Sequence, residues 1–162
     1  MDVSKVEVTA EDLETLREFL AEEGEDSTAF LDVETGAMTL VGGVLLNAAF
    51  GVLVRRRFSP TYTIPQVIEY VRDLRTMLAR AGVAINPRVA ENMIRDVLGD
   101  PTLKDREPYG ADEQAMAVAA VAIVMDLFHA AKLEGPDLDR FLHDCADYAR
   151  AWIDAHRAAS GT

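Results

Sequence analysis

The chain has 162 residues, 49% of them apolar and 27% charged, an ordinary globular balance that excludes a wholly disordered or fibrous protein. Its formal net charge is −12. That field repels phosphate backbones, which disfavours nucleic acid as a partner, and it favours solubility and basic protein partners.

Residues 1–34 hold twelve acids and two bases, no charge occurs from 35 to 54, and residues 55–106 hold ten bases and six acids. The acidic beginning reads either as a solvated face or as a docking surface for another protein. The only cysteine, Cys145, leaves no partner for an intrachain disulfide, which suits a reducing cytosol. Met1-Asp2-Val3-Ser4-Lys5 lacks the basic and apolar regions of a secretory signal, so a cytoplasmic location is expected. Abundant alanine and a preference for arginine over lysine suggest a GC-rich bacterial source.

In chain order, residues 1–8 read as flexible or as a short strand through Val3, Val6 and Val8. Thr9 is a helix N-cap with Asp12 three residues on, an acidic relative of the capping box. Leu13, Leu16, Phe19 and Leu20 recur at helical spacing, and Gly24 ends the helix near residue 23. Glu11, Glu14, Glu18 and Glu22 stud this helix and are its candidate partner-binding residues.

Residues 27–58 admit two readings. A β-hairpin at 28–42 turns on Asp32-Val33-Glu34-Thr35-Gly36. Alternatively, Asp26 or Ser27 caps a short helix that Gly36 ends, and a very apolar helix follows to about Phe58. The alanine- and leucine-rich surroundings favour helix. Thr39, Gly43, Asn47 and Gly51 recur every four residues, a small-residue line that lets another helix approach closely. Arg55, Arg56 and Arg57 close the segment, suited to a helix C-terminus, to the chain's own acids or to an anionic partner. The apolar run followed by three arginines also makes 36–57 the place where a membrane-associated protein would be anchored.

Thr63-Ile64-Pro65-Gln66 forms a capping box, followed by a stripe of Val67, Val71, Leu74 and Leu78 that Gly82 ends. Asn86-Pro87 opens a helix with Val89, Met93, Ile94 and Val97 inward and Gly99 at its close. After a polar loop at 99–111, Asp112 caps a helix reaching about Leu133. Its uncharged run from Ala115 to Met125 is expected to be central and buried. The last helix runs from about Pro136 to His156, with Leu138, Phe141, Leu142, Cys145, Tyr148, Ala149 and Trp152 along one face and a frayed tail at 158–162.

No phosphate loop, dinucleotide fingerprint, nucleophile elbow or zinc-cysteine spacing is present, so no cofactor is expected. Asp126 with His129, and His143 with Asp147, lie at helical spacing but fall short of a di-metal bundle's ligand set, so no metal is expected either. Arg150 and His156, five residues between them, resemble the Arg-x(4–6)-His motif of HEPN-type ribonucleases, small helical proteins that often dimerise. That resemblance implies that the pair contacts and helps cleave RNA, and it makes Arg150 and His156 the only catalytic candidates.

The sequence therefore predicts an all-α protein, a single helical domain over 1–162 built as a compact bundle of five to seven helices. Its expected core includes Leu16, Leu20, Leu46, Val67, Val71, Leu74, Val89, Ile94, Val121, Val124, Phe141, Cys145 and Trp152. The function expected is a non-catalytic interaction or assembly module binding a protein partner or itself. Gly43, Asn47, Gly51 and the three arginines join the acidic helix as candidate contacts. The ribonuclease and the membrane-associated protein are the alternatives.

Overall fold

The computed structural model describes residues 2–21, 30, 34, 35, 37–103 and 113–161. The chain is all-α. Its helices are α1 (Ala10–Ala21), α2 (Leu40–Phe58), α3 (Ile64–Arg80), α4 (Pro87–Val97), α5 (Glu113–Ala131) and α6 (Gly135–Ser160), with 3-10 turns at Val3–Lys5 and Pro101–Leu103. No strand occurs among the described residues. The N-terminal segment, expected to be flexible or a short strand, holds a 3-10 turn at Val3–Lys5. The hairpin cannot reach residue 42, because helix begins at Leu40. Half of its remaining span, 28–39, lies outside the described residues, but Met38 forms an isolated β-bridge and Thr39 N donates to Phe30 O at 2.7 Å. Glu22, Gly24 and Asp112 also lie outside the described residues.

Local sequence sets the helix ends. Thr9 and Asp12 exchange bonds: Asp12 N donates to Thr9 Oγ1 at 3.3 Å, and Thr9 N donates to Asp12 Oδ2 at 2.8 Å. Thr63 and Gln66 do the same for α3, at 3.3 and 2.9 Å. The Asn86 side chain accepts from Arg88 N and Val89 N at the start of α4. Thr39 opens α2 by accepting from Gly42 N at its hydroxyl, 3.1 Å.

Helices α3 and α4 end alike. Gly82 (φ 77°) donates to Ala79 O while Val83 donates to Leu78 O, and Gly99 (φ 80°) donates to Asp96 O while Asp100 donates to Arg95 O. Both are Schellman closures, which need a residue in the left-handed region that glycine enters without strain.

The chain divides into two compact units, Met1–Val52 with Ala131–Thr162, and Leu53–Ala130. The boundaries fall within α2 and at the end of α5, so no linker separates them.

In the first unit, Leu16, Leu20, Leu45, Phe141, Cys145 and Ala149 are fully buried. Arg17 joins α1 to α6 through Asp139 at 2.7 Å. Two glycines of α2 admit neighbours that any side chain would displace. A Cβ on Gly42 would stand 2.6 Å from Phe30 Cβ, and one on Gly51 would stand 2.6 Å from Tyr148 Cζ. The Phe30 ring sits 5.6 Å from that of Phe19. The last helix outlasts its expected end: α6 continues through Ser160, whose hydroxyl donates to His156 O at 2.9 Å. Trp152, expected in the core, is only half-buried, and Ile153 takes the buried place beside it.

In the second unit, Val67, Val71 and Leu74 of α3 and Val89, Ala90 and Ile94 of α4 are buried. Asp100, just past α4, accepts from Arg95 Nε at 2.8 Å, Thr102 N at 2.9 Å and Thr102 Oγ1 at 2.7 Å. The Thr102 bonds, then Arg95, hold its carboxyl below the ordinary carboxylate value.

One expectation fails in a way that bears on function. Helix α5 is not buried along its length. Of its nineteen residues only Ala119, Ile123, Val124 and Leu127 are buried, and Val121, placed in the core from sequence, is half-buried. An all-round apolar helix reads as buried because composition does not say which side the fold covers.

Candidate functional site

The acidic face of α1 is open: Glu11, Glu14 and Glu18 are exposed, on the side away from buried Leu16 and Leu20. Glu14 spends part of its charge on Arg17, 3.5 Å away.

The small-residue line of α2 divides. Gly51 is filled by Tyr148 of the same unit, so its missing side chain serves internal packing. Gly43 is half-buried, with nothing nearer to a built Cβ than Met38 Sδ at 4.0 Å, and Asn47 is exposed. Helix α2 is otherwise largely buried, from Val44 to Val54. Arg55, Arg56 and Arg57 are exposed beyond it, and the Arg57 guanidinium lies 5.2 Å from the Phe58 ring centre.

The two catalytic candidates are engaged separately. Arg150 donates to Val8 O at 3.4 Å and sits 3.6 Å from Asp147. Arg157, one heptad on, donates to Val6 O at 3.3 Å, so the two arginines fasten the N-terminal segment to α6. His156 lies over the Trp152 ring, 3.8 Å between centroids, with Nδ1 2.9 Å from Trp152 O. Six residues apart on a helix, Arg150 and His156 point about 120° from each other. Of the histidine–carboxylate pairs, His143 Nε2 lies 3.5 Å from Asp147 Oδ2 on the exposed surface, while His129 Nδ1 turns to Met125 O at 2.7 Å. Among the described residues no group of three His, Cys, Asp or Glu gathers to hold a metal. Cys145 is fully buried.

A groove of the second unit, about 690 Å³, follows α3 past the end of α2. Phe58 and Leu74 are its buried apolar floor, and Glu69 and Asp73 stand on its rim. Tyr70 donates to Asp126 Oδ2 at 2.8 Å and meets Phe58 edge-to-face at 5.6 Å. Burial first, then the Asp126 charge and hydrogen bond, push the phenol above its ordinary value. Tyr70 therefore keeps its proton, and the bond ties α5 to α3 rather than offering a reactive base. Sequence reasoning missed this pair because it lies 56 residues apart.

The outward side of α5 was also missed. Val118 (37% exposed), Val121, Met125 and Phe128 lie on it at alternating spacings of three and four, opposite the buried Ala119, Ile123 and Leu127. The signal was present in the sequence as two apolar stripes on one helix, each sufficient to cover a neighbour. Among the described residues α5 is also the one helix long and apolar enough to cross a membrane, with a mean hydropathy of 1.7. Compared with family models, with curated proteins and with solved structures, the chain matches none.

Proposed function

We propose that the protein is a non-catalytic interaction or assembly module, and that the outward side of α5 is its main contact surface. The observation that carries the reading is the mismatch between composition and burial in α5. The helix holds no charge from Gln114 to Met125, yet only Ala119, Ile123 and Val124 of that run are buried; Gln114, Ala117 and Val118 are exposed and the rest are half-buried. Apolar surface left to water costs about 25 cal/mol per Å² relative to burial, so such a stripe rewards any partner that covers it. The catalytic candidates add nothing that competes: Arg150 is committed to Val8 and Asp147, and His156 to Trp152.

A photo-reactive phenylalanine analogue at Val118, expressed at native level in the source cell, tests the reading. A discrete protein–protein adduct, absent when the analogue replaces exposed Arg88 on α4, is expected. An adduct pattern that is identical at both positions, or no protein adduct at Val118, overturns it.

A further inference from the structure

We propose that the partner covering the outward side of α5 is a second copy of this chain, its α5 running antiparallel to the first. The inference rests on the reading of α5 as a contact surface and adds the identity of the occupant. Three observations argue for it.

The first is charge. The whole net charge of −12 belongs to one unit: residues 1–52 and 131–162 carry eighteen acids and six bases, while residues 53–130 carry ten of each. Pairing through the second unit brings no net charge against net charge, whereas pairing through the first sets −12 against −12. A basic foreign protein is drawn to the acidic unit. The neutral, uncharged face of α5 best matches another neutral, uncharged face.

The second is pattern. Val118, Val121, Met125 and Phe128 form a seam that is its own complement under a two-fold axis. Antiparallel pairing sets Val121 of one copy against Met125 of the other and Val118 against Phe128. Ala117 and Ala122 flank the seam and let the backbones approach. Beside Val118 lies a cavity of about 220 Å³ lined by Ala84, Ile85, Asn86, Gln114 and Ala115, a hole for an incoming apolar side chain.

The third excludes a bilayer as the occupant. Asp126 is on α5 and accepts from Tyr70 of α3. Insertion of α5 would break that bond and carry a carboxylate into hydrocarbon.

Sedimentation equilibrium of the purified full chain tests the proposal. A concentration-dependent dimer is expected. Val121→Glu and Met125→Lys, each alone, weaken dimerisation at least about tenfold, because each leaves a charge in the seam. Mixed together they dimerise again, since the two charges then face each other. Ile68→Glu, at a 45%-exposed position on α3, leaves the dimer unchanged. Circular dichroism confirms that each variant stays helical, and the recovery on mixing could not come from misfolded chains. A wild-type monomer at every concentration overturns the proposal, as does a dimer indifferent to both seam variants, a mixture that stays monomeric, or a monomer that floats with phospholipid vesicles. An adduct at Val118 to a different protein, with the purified chain monomeric, overturns self-pairing alone and leaves the interaction reading standing.

Discussion

Three glycines within ten residues of α2 should respond differently to one added methyl group. Gly→Ala in a helix interior gains about 0.8–1 kcal/mol from backbone entropy and solvation. Gly43 meets nothing closer than 4.0 Å, so Gly43→Ala keeps the whole gain. Gly42 is opposed by Phe30 Cβ at 2.6 Å and Cγ at 2.8 Å, and by Thr39 Oγ1 at 2.9 Å. A Cβ atom cannot swing aside without its backbone, so the full overpacking cost of about 1–3 kcal/mol applies and outweighs the gain. Gly51 meets only the tip of Tyr148, at 2.6 to 2.9 Å, on a half-buried ring that can tilt outward. The two terms then nearly cancel.

The expected order of stability is Gly43→Ala above wild type, Gly51→Ala near it, and Gly42→Ala lowest. The spread between the extremes is about 2 kcal/mol, or roughly 4–8 °C in Tm for a chain of this size. Urea denaturation followed by circular dichroism, with unchanged m-values, measures it. Gly42→Ala at least as stable as Gly43→Ala would refute the packing assigned to α2.

Phe141→Ala removes a fully buried ring of α6 and should cost about 3–5 kcal/mol, lowering Tm by roughly 6–20 °C in calorimetry. Tyr70→Phe leaves half-exposed Asp126 without its phenol donor and should cost about 1 kcal/mol at pH 7. Because the folded phenol titrates above its ordinary 10.0, wild-type Tyr70 contributes fully below that pH and loses its contribution only as the pH rises past it. The difference between wild type and Tyr70→Phe should therefore shrink in denaturation at high pH. Asp100 has the opposite sign. Its folded carboxyl lies below the ordinary 3.8, so its contribution is complete above that value and is lost as the pH falls through the folded value. Asp100→Asn should lose stability at pH 7 and show a flatter acid limb, read from Tm between pH 5 and pH 2.

Helix ends were legible because their chemistry is local. Thr9 with Asp12, Thr63 with Gln66 and Asn86 with Val89 place donor and acceptor within three residues, and no tertiary contact is needed to make the bond. The stripes of α3 and α4 were legible for the same reason, since both are amphipathic and their polar faces mark the outside. Helix α5 has no polar face over most of its length, so the sequence held no sign of which side stays uncovered. The glycine line of α2 was half legible. A need for small residues shows in the pattern. Whether the neighbour is Phe30, Tyr148 or open space depends on contacts far along the chain. Tyr70 and Asp126 were beyond reach on similar grounds.

Methionine footprinting tests the central claim without altering the protein. Met125 lies on the outward seam of α5, and Met77, 48% exposed, lines the groove of α3 and is no part of that seam. Both should oxidise in dilute purified protein exposed to peroxide. In the source cell, at native level, the account predicts that Met125 is protected several-fold while Met77 oxidises at its free rate. Equal rates for Met125 in the cell and in dilute solution would mean that nothing covers α5, and would contradict the account.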